Sequence, residues 1–170
     1  AAYDPKTKGL VHYKGWRYFL VNVMVDGVAG VAQWATGQKG QPGKEGTWRD
    51  AEDDGRLGCN PIAQGAVDSV IAAHVLVPSR ATREVFYWMA VGPVWRGAWN
   101  GVDEVNAKVV ERGPASYLSR TRAYWKLWVN KEFCPDCETL PPKVLRLFKQ
   151  SLLIIRTQID NGGAIIAAND

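Results

Sequence analysis

The sequence predicts an α+β protein: an antiparallel β-sandwich portion followed by a helical segment of about three helices. Two observations carry this. Up to about residue 95 the apolar residues fall in short aromatic and β-branched runs separated by Gly, Pro and Asp-Gly, the pattern of strands joined by turns. After Asn100 the spacing becomes the three-and-four repeat of amphipathic helices, with the switch near residues 95–101. Segregated elements of this kind argue against a doubly wound nucleotide fold.

The strands come first. Trp16 to Val25, WRYFLVNVMV, is aromatic and β-branched with few polar residues, which suits a strand covered on both sides. Asp26-Gly27 is a turn signal, and Val28 to Thr36 reads as the return strand. Gly37 to Gly46, GQKGQPGKEG, is a Gly- and Lys-rich loop. Ala66 to Val77 and Glu84 to Val91 are two further strands, each followed by a proline (Pro78, Pro93) that cannot donate to a ladder. Sequential strands joined by short turns make an antiparallel sheet, and a sandwich is its best closed form.

The helices follow. Val102 to Arg112 carries Val105, Val109 and Val110 on one side and stops at Gly113-Pro114. Ala115 to about Lys131 places Leu118, Thr121, Trp125 and Trp128 on one stripe, flanked by Tyr117 and Tyr124. The third helix runs from about Pro142 to Ile159. From Ser151 onward it is apolar nearly all round, which predicts burial on several sides. Asp160-Asn161-Gly162-Gly163 ends it, with glycines suited to left-handed backbone, and a short apolar strand-like run, Ala164 to Ala168, comes after.

Composition narrows the function classes. A chain of 170 residues that is 46% hydrophobic and 22% charged can bury a core and has no disordered character. Net charge is +4. From Glu111 to Arg156 there are nine Lys/Arg against four Asp/Glu, but they are scattered among Trp and Leu at helical spacing. That is a solvated helix face rather than a nucleic-acid patch, so no nucleic acid is expected as partner. No apolar run approaches a membrane span, and Ala1-Ala2-Tyr3-Asp4-Pro5 lacks the basic and apolar regions of a signal peptide. Three cysteines, an odd count, argue against a secreted disulfide framework. A cytoplasmic protein without membrane contact is the expectation.

Three constellations carry possible chemistry. Cys134-Pro135-Asp136-Cys137 reads as an incidental loop pair, a loop disulfide or half of a metal site. Zinc needs four ligands, and Cys59, His12 and His74 are all remote in sequence, so the incidental reading leads and no metal is expected. Trp48-Arg49-Asp50-Ala51-Glu52-Asp53-Asp54-Gly55 begins like a calcium loop with Asp50, Glu52, Asp54 and Gly55, but the closing Glu is missing, which favours a polar turn. Asn60 to Ser69 mixes polar and small residues that either point at a ligand or bond their own backbone. His74, between Ala73 and Val75, reads as a mid-strand residue. Neither GxxxxGK[ST], GxGxxG nor GxSxG occurs, so no cofactor is expected.

Five stretches, in order, resemble one family: HYKGWRYF (12–19), TWRDAEDDGRLGCNPIAQGAVDS (47–69), EVFYWMAVG (84–92), ERGPASYLSRTRAYWKLWVN (111–130) and SLLIIRTQIDNGGAIIAAND (151–170). They look like the glycoside hydrolases of family 15, the prokaryotic and archaeal glucoamylase, glucodextranase and trehalase group. RTQIDNGGAIIAAND is the most specific piece. The resemblance implies an N-terminal β-supersandwich, linker helices and a C-terminal (α/α)6 barrel. It maps residues 1–98 to the end of the sandwich, 99–141 to the linker, and 142–170 to the first barrel helix and the segment after it.

The same resemblance implies inverting hydrolysis of α-linked glucosides by two carboxyl groups about 6.5–9.5 Å apart. It also places that pair, and the sugar-clamping Trp-x-Arg-Asp that would follow Ala168, outside these residues. No catalytic residue carries over, and Glu52 and Asp54 match a sandwich loop. The substrate-binding candidates it leaves are Trp48, Arg49, Asn169 and Asp170. The partner implied is an α-glucan or α-linked disaccharide. A lone first barrel helix would expose Leu152, Leu153, Ile155 and Ile159, so the chain is expected to dimerise through it, to pair with a second polypeptide supplying the barrel, or to fold it back on the sandwich. A different reading is a non-catalytic carbohydrate- or protein-binding β-sandwich module, with Trp34, Trp48, Trp95 and Trp99 as stacking platforms.

Overall fold

The computed structural model describes residues 1–38, 54–97, 101–131, 139–160 and 162–165. The chain divides into two compact units, Ala1–Ala115 and Ser116–Asp170. The predicted α+β order holds: among the described residues two antiparallel sheets precede three helices.

In the first unit the strands are β1 (Ala2–Asp4), β2 (Gly9–Lys14), β3 (Arg17–Val25), β4 (Val28–Ala29), β5 (Gln33–Gln38), β6 (Val67–Ala72) and β7 (Val85–Gly92). β3 is the centre of the larger sheet. β7 pairs with it over eight residues, Tyr18↔Gly92 to Val25↔Val85. On its other edge β2 pairs from Leu10↔Val21 to Lys14↔Arg17, and β4 takes what remains, Met24↔Ala29 and Val25↔Val28. β1 lies outside β2, and β5 and β6 form a separate two-stranded sheet.

Local chemistry explains the turns. Gly15 (φ 62) takes the first position of the two-residue loop between Lys14 and Arg17. Asp26 (φ 49) and Gly27 (φ 81) both sit in left-handed backbone, the arrangement a two-residue Asp-Gly hairpin requires.

Two expected strands are corrected. Val28 to Thr36 is not one strand. Because β2 already occupies the β3 edge, only two residues pair before Gly30 (φ 131) turns the chain away, and β5 joins the other sheet. A side chain at Gly30 would meet the Lys8 Cβ at 2.9 Å. The expected strand Ala66–Val77 stops at Ala72, which faces Gln33, the first residue of β5, so no partner remains for later residues. Leu76 is accordingly 84% exposed, and His74 is an exposed residue beyond the strand rather than within one.

Helix α1 (Val102–Arg112) covers one face of the larger sheet. Opposed residues share a face, so Val11, Leu20 and Ala90 all point at the helix. Leu20, Ala90 and Val102 form the buried cluster, with Val11, Tyr18, Trp95 and Val105 packed around it. Each fully buried Leu or Val side chain there contributes about 1.5–3 kcal/mol. The amides of Val102 and Asp103 donate to the carbonyls of Val94 and Trp95 (3.0 and 3.3 Å), which satisfies the start of the helix without a side-chain cap. Asp103 and Glu104 in the first turn and Arg112 in the last complement its dipole.

A buried polar network pins the helix to the sheet. Asn22 of β3 is fully buried, and its Nδ2 donates to the Thr7 carbonyl (2.9 Å) and to Asn106 Oδ1 (3.2 Å). Trp88 Nε1, on the residue opposite Asn22, donates to the same Asn106 oxygen (3.0 Å).

The second unit holds α2 (Pro114–Val129, whose first two residues fall to the first unit) and α3 (Pro142–Thr157). The burial expected for the last helix is overturned: no residue of α3 is buried, and Ile154 and Ile155 are 54% and 52% exposed. The physical reason is supply of cover. One face of α3, through Leu153, lines an apolar groove with Trp125 and Val129 of α2, and Val144, Leu147 and Phe148 are left in the open with those two isoleucines. The chain then turns back. Asp160 Oδ1 accepts from the amides of Gly162 and Ala164 (2.8 and 2.9 Å), with Gly163 at φ 87, and Ile159 bridges to Ile165.

Candidate functional site

The substrate-binding candidates Trp48, Arg49, Asn169 and Asp170 lie outside the described residues, as do Asp50, Glu52, Cys134 and Cys137. Of the acidic loop, Asp54 is visible, and its Oδ1 accepts from the Arg56 amide at 2.8 Å, an Asx turn that brings Leu57 into a buried position. Among the described residues no group of three His, Cys, Asp or Glu is placed to hold a metal ion.

The polar stretch from Asn60 resolves toward the backbone. Asn60 Oδ1 accepts from the Thr36 amide (2.8 Å), and its Nδ2 donates to the carbonyl and hydroxyl oxygens of Thr36. One side-chain amide thus pairs with β5 as a strand residue would. Its carbonyl accepts from Trp34 Nε1 (2.9 Å), and the Trp34 ring stacks on Tyr3 at 3.5 Å between centroids. Trp95 packs beside Tyr18 at the helix–sheet core. Both rings are therefore committed to packing, while Trp48 and Trp99 lie outside the described residues.

A site of mixed chemistry lies in a cleft of about 730 Å³ between the two sheets, on the face of the larger sheet opposite α1. Strand alternation builds it. His12 opposes Phe19, Val21 opposes Met89, and Val23 opposes Tyr87, so these side chains share a face. From β6 the alternate residues Val67, Ser69 and Ile71 line the other wall.

His12 and Ser69 meet there. The imidazole Nε2 lies 2.6 Å from the hydroxyl Oγ, linking the sheets across 57 residues of chain. Burial, and then the positive Ala1 amino group, push the His12 pKa below its ordinary value, while Asp68 pulls weakly the other way. The ring is therefore neutral at pH 7 and offers one donor and one acceptor. Lys14, two residues on, stands at the same cleft. In the sequence His12 stands only as a remote candidate metal ligand and Ser69 only as the end of a polar stretch. The alternation of Val67, Ser69 and Ile71 marks their shared face in the sequence, but only the packing of the two sheets brings Ser69 to His12.

At the sheet's far edge Asp4 joins the loops. Burial raises its carboxyl, but hydrogen bonds from Thr7 N and Oγ1 (3.0 and 2.7 Å) and the Arg96 guanidinium outweigh this and hold it below the usual carboxylate range.

Comparison of the chain with known protein families, curated proteins and solved structures finds no match. No helix of the described residues is long and apolar enough to cross a membrane.

Proposed function

We propose that these residues form the sandwich end, linker helices and first barrel helix of a family-15-like inverting α-glycosidase acting on α-linked glucosides in the cytoplasm. The carrying observation is the ordered set of five sequence stretches, with RTQIDNGGAIIAAND the most specific. The β-then-α order and the helix at Val102–Arg112 agree with that layout. The reading assigns no catalytic carboxylate to this chain, so the chain by itself is inactive and needs no cofactor. Its open α3 face, Val144, Leu147, Phe148, Ile154 and Ile155, is the surface for a second copy or a chain supplying the barrel. A stand-alone sugar-stacking module has less support, because Trp34 and Trp95 are engaged in packing.

Two measurements test the proposal. The purified 170-residue chain should release no glucose from maltose, trehalose or isomaltose; measurable release overturns the inactivity. The coding DNA beyond codon 170 should continue in frame into Trp-x-Arg-Asp and two later glutamates; a frame continuing without them overturns the family reading.

A further inference from the structure

We propose that the cleft between the two sheets binds an amphipathic monoanion, a small carboxylate carried on an aliphatic or aromatic body. The inference rests on the cleft alone and stands or falls apart from the glycosidase reading.

Shape and walls select the body of the ligand. A cleft of about 730 Å³ falls within the range of small-molecule sites. Phe19, Val21, Ile71, Tyr87 and Met89 surface it, and Tyr87 and Met89 remain 60% and 50% exposed. A sugar would leave its hydroxyls against these apolar side chains without partners, which is costly. An alkyl chain or flat ring instead buries apolar area on both partners, at about 25 cal/mol per Å².

Charge selects the head group. Of the described residues lining the cleft, none is acidic; Lys14 carries the positive charge, and the neutral His12 ring stands beside it on the same strand face. Ser69 lies between the apolar wall and this basic end. With the proton on His12 Nε2, the ring donates to Ser69 Oγ, and the hydroxyl is free to donate to a carboxylate oxygen that Lys14 faces. Head and body are thus recognised at opposite ends of one opening.

Calorimetric titration of the full chain with octanoate, octanol and maltose tests this. Octanoate is expected to bind, octanol more weakly and maltose not at all. Lys14→Gln, at an exposed position, should weaken octanoate about three- to five-fold and leave octanol unchanged. Met89→Glu, on the exposed face of β7, should abolish octanoate binding by adding an anion to the wall, with an unchanged circular dichroism spectrum confirming the fold. Lys126→Gln, beside the separate α2–α3 groove, should change nothing. Absence of octanoate binding, equal binding of octanol, binding of maltose in its place, or loss of binding in Lys126→Gln rather than in the cleft variants would overturn the proposal.

Discussion

His12 Nε2 and Ser69 Oγ stand 2.6 Å apart and join the five-stranded sheet to the two-stranded one. Because the ring is half-buried, its charged form is disfavoured in the folded chain. The folded pKa lies below the unfolded value of about 6.5, so unfolding takes up a proton as the pH falls through that value. Stability is at its full value above the unfolded pKa and declines as the pH drops toward the folded one. Urea midpoints should therefore fall between about pH 7.5 and about pH 5, and His12→Gln, neutral throughout, should flatten that slope. A slope unchanged in His12→Gln assigns it elsewhere.

Asp4 titrates in a separate window. Its folded pKa is depressed, so its contribution is present above the unfolded carboxylate value and is lost as the pH falls through the folded one. Arg96→Ala should narrow the acid-side loss without touching the slope near neutrality.

Asn106 is the acceptor shared by Asn22 and Trp88. Replacing it with Leu strands the Trp88 indole N–H and one Asn22 donor contact in a buried site. The expected loss is about 1–3 kcal/mol in urea denaturation. A change under a few tenths would mean that these donors find other partners.

Asn60 acts as a surrogate strand residue for Thr36. Asn60→Ala removes both halves of that pairing and should cost about 1–3 kcal/mol. Asn60→Asp keeps the acceptor for the Thr36 amide but sets a carboxylate against the Thr36 carbonyl and hydroxyl oxygens. It should therefore remain destabilised, and more so at neutral pH than in acid.

The open face of α3 predicts association. Sedimentation of the chain should show mass rising with concentration, and Ile155→Glu should abolish the rise while leaving helix content unchanged. A monomer at all concentrations would exclude a second copy on this face.

Periodicity and turn chemistry are local, and what depends on them was legible in the residues alone. The β-then-α order, the Asp26-Gly27 hairpin and the bounds of Val102–Arg112 follow from side-chain spacing and from glycine's access to left-handed backbone. The proposed family likewise rests on the five sequence stretches alone. Tertiary structure decided whatever depends on which partner is already taken. β2 holds the edge that Val28–Thr36 would have needed, β5 begins too late to pair with 73–77, and α3 lacks cover for its second apolar face. The cleft is of the same kind. His12 and Ser69 become neighbours only when two sheets stack, because a contact across 57 residues is set by packing and leaves no periodic trace in the chain.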